Sequence, residues 1–296
     1  MKTIRPLLWG ISLLLAGASV AVAQDAATPT VPRIMTIMRE WIKPGKSGQL
    51  HDRSEAAFVS AFAKAKFSAH YVALNSMSGK SRAIYITTYS SFADYEKANK
   101  TADANAVLTA DLERAGVADG DLLEGLDTAV LSSEEEMSFH PRGNLAKARY
   151  LEISSYHVKP GHTAQWHELV KLVKDTYAKT DTKFHWAMFS LMYGGEGDTY
   201  IVLSSKESMA ELDTGLNDKS FDQALGEDGM KKLEELAAGC ISSSSHELFS
   251  VNPKQSYVDE AWIKADPDFW KPRKAAPETA AAKPAAKAPA AKPSSR

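Results

Sequence analysis

Residues 41–52 read WIKPGKSGQLHD, and residues 157–168 read HVKPGHTAQWHE. The two stretches lie 116 residues apart and share Lys-Pro-Gly, the Gln and the His in register. The likeness continues downstream: Lys66-Phe67 answers Lys183-Phe184, Leu74 answers Leu191, and residues 91–95 (SFADY) answer 208–212 (SMAEL). Self-similarity at a fixed spacing marks a duplicated structural unit. Each copy has about 110 residues, enough for a domain to fold alone.

Polarity changes in the same order within each copy. Residues 33–42 and 149–158 alternate as strands do, Pro44-Gly45 and Pro160-Gly161 turn the chain, and 46–65 and 162–180 place apolar residues at helical spacing. Two strand-like runs follow, 69–77 with 82–89 and 185–193 with 199–205, joined by segments of hairpin-turn composition. Helical segments at 91–115 and 207–238 and last strands near 127–139 and 241–251 complete the copies. The fold class is therefore α+β: two tandem ferredoxin-like βαββαβ repeats, each an antiparallel sheet with both helices on one face. The bare sheet face must be buried, and the second copy supplies the cover.

Two such units face to face resemble the dimeric α/β barrel superfamily, which includes antibiotic-biosynthesis-type monooxygenases, EthD-like and NIPSNAP-like proteins and the haem-binding chlorite dismutases. The resemblance rests on element order, the strand-Lys-Pro-Gly-helix connection and the duplication, over about residues 30–253. It implies an intramolecular barrel with a pocket between the sheets, and it implies no particular reaction.

Expected boundaries are a signal peptide at 1–23, a linker at 24–32, repeat 1 at 33–141, a linker at 142–148, repeat 2 at 149–253, an extension at 254–270 and a disordered tail at 271–296. Lys2 and Arg5, an apolar run and Ala21-Val22-Ala23 give the first 23 residues the grammar of a cleaved secretory signal, so the expected location is secreted, in a bacterial periplasm. The tail holds seven basic residues and one acid. With the whole chain at −2, the tail at +6 and the signal at +2, residues 24–270 are left at −10, which argues against nucleic-acid binding through a basic face. The tail is a solvated spacer or a contact for envelope anions. The mature chain carries no integral span, and the duplication makes either a monomer or a homodimer reasonable. A lone Cys240 excludes a disulfide scaffold within the chain.

Strand alternation divides the side chains into two sets. The uniformly apolar set, with Met35, Ile37, Leu74, Ile84, Leu151, Ile153, Phe189, Ile201 and Leu203, is expected to meet the helices. The mixed set, including Glu40, is expected to line the barrel, with Tyr71, Tyr85, Tyr89, Tyr150, Tyr156, Trp186, Tyr200 and Asn75 as ligand-binding residues. Such a lining packs an apolar or aromatic small molecule and orients it with hydroxyls, unless the rings simply fill the interior. Glu152 is the candidate catalytic base in this set; paired to a hydroxyl or placed at the rim, it is structural.

No metal is expected. His162 and His167 differ by five residues and do not share a helix face, and His51 and His167 read as packing at the helix starts. No cofactor is expected either. The resemblance to chlorite dismutases would require an inward histidine for haem, the phasing puts His70 and His185 on the helix side, and only His246 stays open. The function expected is a secreted small-molecule-binding barrel. The alternatives are a cofactor-independent monooxygenase-like or isomerase-like enzyme acting on a phenolic or enolisable substrate, and a structural or partner-binding envelope protein.

Overall fold

The computed structural model describes residues 31–142 and 145–271. The expected signal segment, nearly all of the first linker and the tail from 272 onward lie outside the described residues. The first half contains β1 (Ile34–Ile42), α1 (Gln49–Ala65), β2 (Tyr71–Ser76), β3 (Arg82–Tyr89), α2 (Phe92–Asp103), α3 (Ala106–Gly120) and β4 (Leu123–Ser133). The second contains β5 (Tyr150–Val158), α4 (Thr163–Tyr177), β6 (Ala187–Tyr193), β7 (Thr199–Lys206), α5 (Ala210–Asn217), α6 (Ser220–Cys240) and β8 (Ile241–Val251). Each expected second helix is divided. In the first half Asn105 separates the pieces and caps α3, its side chain accepting from the Leu108 amide. Among the described residues no helix is long and apolar enough to cross a membrane.

The eight strands form one closed antiparallel barrel in the order β1-β3-β2-β8-β5-β7-β6-β4. The halves join twice, through β2 with β8 (Leu74 opposite Val251) and β4 with β6 (Leu131 opposite Leu191). Closure pairs the edges that two separate sheets would leave open. The β4–β6 seam depends on the β6–β7 turn lying close to β4. Gly194 has φ 88°, and a Cβ there would stand 2.1 Å from the Thr128 carbonyl oxygen, so only glycine fits.

Closure also decides what each face of the strands meets, and here the sequence expectation is corrected. Met35, Ile37, Leu74, Ile84, Leu131, Leu151, Ile153, Phe189, Ile201, Leu203, Phe249 and Val251 form a single buried cluster with members from every strand, which only the barrel interior permits. The apolar set therefore points inward. The mixed set points to the helices: Met188 and Tyr200 pack with Trp166, Leu169 and Val170 of α4 and Leu236 of α6, and Tyr85 hydrogen-bonds Glu40, which meets His51 of α1. Alternation separates two faces without saying which is enclosed. The interior of a closed barrel is the more completely dehydrated place, so the aliphatic set goes there, while aromatic hydroxyls reach hydrogen-bond partners along the helix margins.

The segment after β8 is more than an extension. Tyr257 pairs with Tyr71 beside β2, and α7 (Glu260–Ala265) and α8 (Pro267–Trp270) lie across one end of the barrel. Trp270 is 4% exposed within the interior cluster, and its indole N–H donates to the Ala146 carbonyl at 2.8 Å. Arg149 stacks over Phe269 at 3.8 Å and pairs with Asp266. At the opposite end, inward-facing Arg82 pairs with Glu247 and Arg39 with Asp127. Replacing Trp270 with Ala removes a large buried ring, so unfolding in urea should show a loss of about 3–5 kcal/mol. A loss under about 1 kcal/mol would mean that the segment merely rests on the surface.

Candidate functional site

A cavity of about 660 Å³ opens at the end of the barrel that α7 and α8 partly cover. Its walls are inward side chains: Met35, Leu74, Ile86, Leu151, Phe189, Leu203 and Val251. Ala187 contributes little bulk, and Trp262 of α7 closes one side. This is the size and the largely apolar character of a small-molecule site. Polar groups gather at the mouth, where Arg142, His185 and Ser205 stand on one side and His70, Asp94, Lys97 and Asp259 on the rim.

His185 shares the strand face of Ala187 and so turns inward; the sequence phasing placed it on the helix side. It is buried. Its Nδ1 lies 3.1 Å from the Lys183 carbonyl oxygen, to which only an N–H can donate, leaving Nε2 as an acceptor 3.2 Å from the Ser205 hydroxyl. Burial holds the imidazole below its ordinary pKa; the carbonyl bond opposes this, and the charges of Arg142 and Lys206 add to it.

The expected ligand-binding residues fall differently. Tyr71 and Tyr89 line the outer part of the cavity. Tyr89 packs against Tyr95 of α2, and burial pushes its phenol up to about 12. Tyr85 is buried beside Glu40, with its phenol raised first by burial. Tyr156 and Tyr200 pack on Trp166, and Trp186 stacks on Phe139 while donating to the Met137 carbonyl. Tyr150 is half-buried opposite Ser250, and Asn75 has a buried side-chain oxygen without a hydrogen-bond partner. Glu152 faces away from the interior. Its side chain is 42% exposed and pairs with Lys206 at 2.9 Å, so it does not line the cavity as a base would.

A second constellation sits on the helix-covered face of the first half. Glu40 of β1, His51 and Glu55 of α1 and Asp119 of α3 are all buried, and one ligand-type atom from each lies within 4.8 Å of the others. His51 Nε2 is 3.1 Å from Glu40, 3.8 Å from Glu55 and 3.7 Å from Asp119. Tyr85 donates to the same Glu40 oxygen at 3.1 Å. Burial, then the charges of Glu40 and Asp119, push the Glu55 carboxyl up to about 9. Spacing arguments sought ligands within one helix and missed this set, which three elements bring together. The histidine that recurs at 51 and 167 is the signal that the sequence offers for this set.

No protein-family model matches the chain, and no curated protein matches it. Solved structures do. A proposed monooxygenase from Fusobacterium nucleatum superposes with TM-score 0.50 at 12% identity, over 75% of this chain and 93% of the other. A proposed chlorite dismutase gives 0.43 at 12%, over 76% and 97%, and a haem-binding protein from Thermus thermophilus gives 0.41 at 12%, over 79% and 95%. The eight-stranded barrel with outer helices is the dimeric α/β barrel fold.

The expectations of no cofactor and no metal do not stand. Among the described residues four buried side chains of ligating type converge in one place, and His185 lines the cavity. His185 also makes stability depend on pH. The unfolded chain takes up a proton near the ordinary value of 6.5, whereas the folded chain resists, so stability falls as pH drops through about 6.5. Melting temperatures at pH 7.5 and pH 5.5 should differ less in His185→Gln than in the parent; an equal difference would remove His185 from this role.

Proposed function

We propose that the chain is an exported small-molecule-binding barrel, built from a duplicated βαββαβ unit, whose ligand is a mainly apolar molecule with one anionic or hydrogen-bonding end. The observation that carries this is the cavity of about 660 Å³, aliphatic in its depth and cationic or polar at Arg142, His185 and Ser205. Apolar walls supply affinity by excluding water, and the few polar groups at the mouth fix orientation. Arg142, paired with Glu211 at 3.4 Å, would exchange that carboxylate for a carboxylate or enolate end of the ligand, and Ser205 and His185 can turn their hydrogen bond toward it. Export rests on the N-terminal sequence, and the basic segment after 271 suits contact with envelope anions.

A second reading follows from His185. The carbonyl on Nδ1 orients the ring and leaves Nε2 as the acceptor, paired with Ser205 in the cavity wall, and release of that bond would free Nε2 to ligate iron. Haem fits that donor, and when bound it would supply redox or oxygen chemistry. The protein's own share is to place Nε2, to hold the ring neutral by burial and to exclude water with the aliphatic wall. An enzyme acting on an enolisable substrate would use the same Nε2 as proton acceptor, in the place that Glu152 does not occupy.

Filling the cavity tests the reading. An apolar fluorescent probe such as anilinonaphthalene sulfonate should bind the native chain and bind Ala187→Phe at least about tenfold more weakly, as expected when bulk is added inside a site of this size. Tyr200→Phe, on the opposite strand face, should leave binding unchanged. Equal binding by all three proteins would move the site elsewhere. An absorption spectrum of the chain purified from its own host separates the second reading: a haem band lost in His185→Ala supports it, and a spectrum of protein alone removes it.

A further inference from the structure

We infer that Glu40, His51, Glu55 and Asp119 form a site for one first-row divalent metal ion that ties α1 and α3 to the barrel wall. It is separate from the cavity, since none of the four lines it.

Three carboxylates surround one imidazole nitrogen in a dehydrated place, and among the described residues their only ion-pair partner is His51. Like charges this close cannot all ionise without a cation between them. Two atoms show where it would sit. Glu55 Oε1 and Asp119 Oδ1 are buried without a hydrogen-bond partner and lie 3.8 and 3.7 Å from His51 Nε2. Buried carboxylate oxygens are rarely left unpaired unless something accepts their lone pairs.

Geometry agrees. Four ligands about 2.1 Å from an ion in a tetrahedron stand about 3.4 Å apart. The carboxylate oxygens already lie 3.1, 3.8 and 3.7 Å from His51 Nε2 and all four donor atoms within 4.8 Å of one another, so the widest separation closes by up to about 1.4 Å as the ion binds. Three carboxylate oxygens with one imidazole nitrogen and no sulfur suit Mn2+, Fe2+ or Zn2+, and not a soft ion such as Cu+.

The second layer is also present. Tyr85 donates to Glu40 and fixes that carboxylate. On the far side of His51, Gln255 Nε2 stands 3.1 Å from Nδ1, and Gln255 Oε1 is buried without a partner. Metal binding needs the Nε2 lone pair and moves the imidazole proton to Nδ1; a half-turn of the Gln255 amide then brings Oε1 to accept it, in exchange for the bond that Gln255 Nε2 donates to Asp52 at 3.1 Å. The second half of the barrel shows what an ordinary filling looks like. Beneath α4 and α6 the space holds Trp166, Leu169, Leu236, Met188 and Tyr200. Aliphatic and aromatic packing thus serves there, and the first half keeps a costly polar set instead. Burial of all four ligands, at 1–5% side-chain exposure, leaves no open coordination position toward solvent and points to a structural ion.

The test uses the full chain, stripped with a chelator at pH 7.5 and titrated with Mn2+ and, separately, Zn2+ by calorimetry, with elemental analysis of untreated protein. The inference expects one bound ion per chain and a melting temperature raised by several degrees. Glu55→Gln and Asp119→Asn are nearly isosteric and should each weaken Mn2+ binding at least about tenfold, and Gln255→Leu about 10–100-fold, with circular dichroism unchanged. No stoichiometric Mn2+ or Zn2+ binding by the folded chain would overturn the inference and identify a metal-free cluster that shares protons. Binding that survives in the Glu55→Gln, Asp119→Asn double variant would overturn it too, by placing the ion on surface histidines.

Discussion

Closure of the eight-stranded barrel is the constraint on which the rest depends. Once β2 pairs with β8 through Leu74–Ser76 and β4 with β6 through Val130–Ser133, the sheet closes, with one face of its strands toward the interior and the other outward, where helices cover part of it. The two faces have different access to water. The middle of the interior is farthest from solvent, so it collects side chains with no polar atoms and leaves Arg82, Glu247 and His185 to the barrel ends, whereas the helix-covered face has margins where hydroxyls, carboxylates and imidazoles find partners. The apolar-walled cavity and the polar constellation around His51 are the two results of this single partition.

Sealing is uneven along the barrel. One end holds the inward ion pairs of Arg82 with Glu247 and Arg39 with Asp127, and Arg82 also lies 4.8 Å from the Trp41 ring. The other end is covered by the segment after β8, anchored by Trp270 and by Arg149 on Phe269. That cover is partial, and the cavity opens beside it among Tyr71, Tyr89 and α2. The mouth of the cavity therefore sits where the chain adds a partial cover to the barrel, and the ion pairs lie at the opposite end.

The sequence made much of this legible. The strand-Lys-Pro-Gly-helix pattern at 41–52 and 157–168 located the turns before α1 and α4, and the alternation at 33–42 and 149–158 located β1 and β5 within a residue. The enclosed face was not legible, because Ile153 and Tyr156 alternate equally well whichever side is inside. Choosing the aliphatic face for the helices treated the barrel as two half-covered sheets, and every inward tyrosine followed from that choice. Asp119 was invisible for another reason: it lies 68 residues from His51, and only the packing of α3 on α1 brings them together. The role of Trp270 was hidden because its segment lies beyond the last stretch of self-similar sequence.

Methyl-resolved nuclear Overhauser spectroscopy of the full chain tests the partition most directly. With Ile, Leu and Val methyls labelled, this account predicts cross-peaks linking Ile37, Ile84, Leu131, Leu151, Leu203 and Val251 into one network that spans both halves. Cross-peaks that instead tie Ile153 and Leu203 to Leu169 and Val170 of α4, with no contacts between the halves through Ile37 and Ile84, would place the aliphatic face against the helices and contradict it.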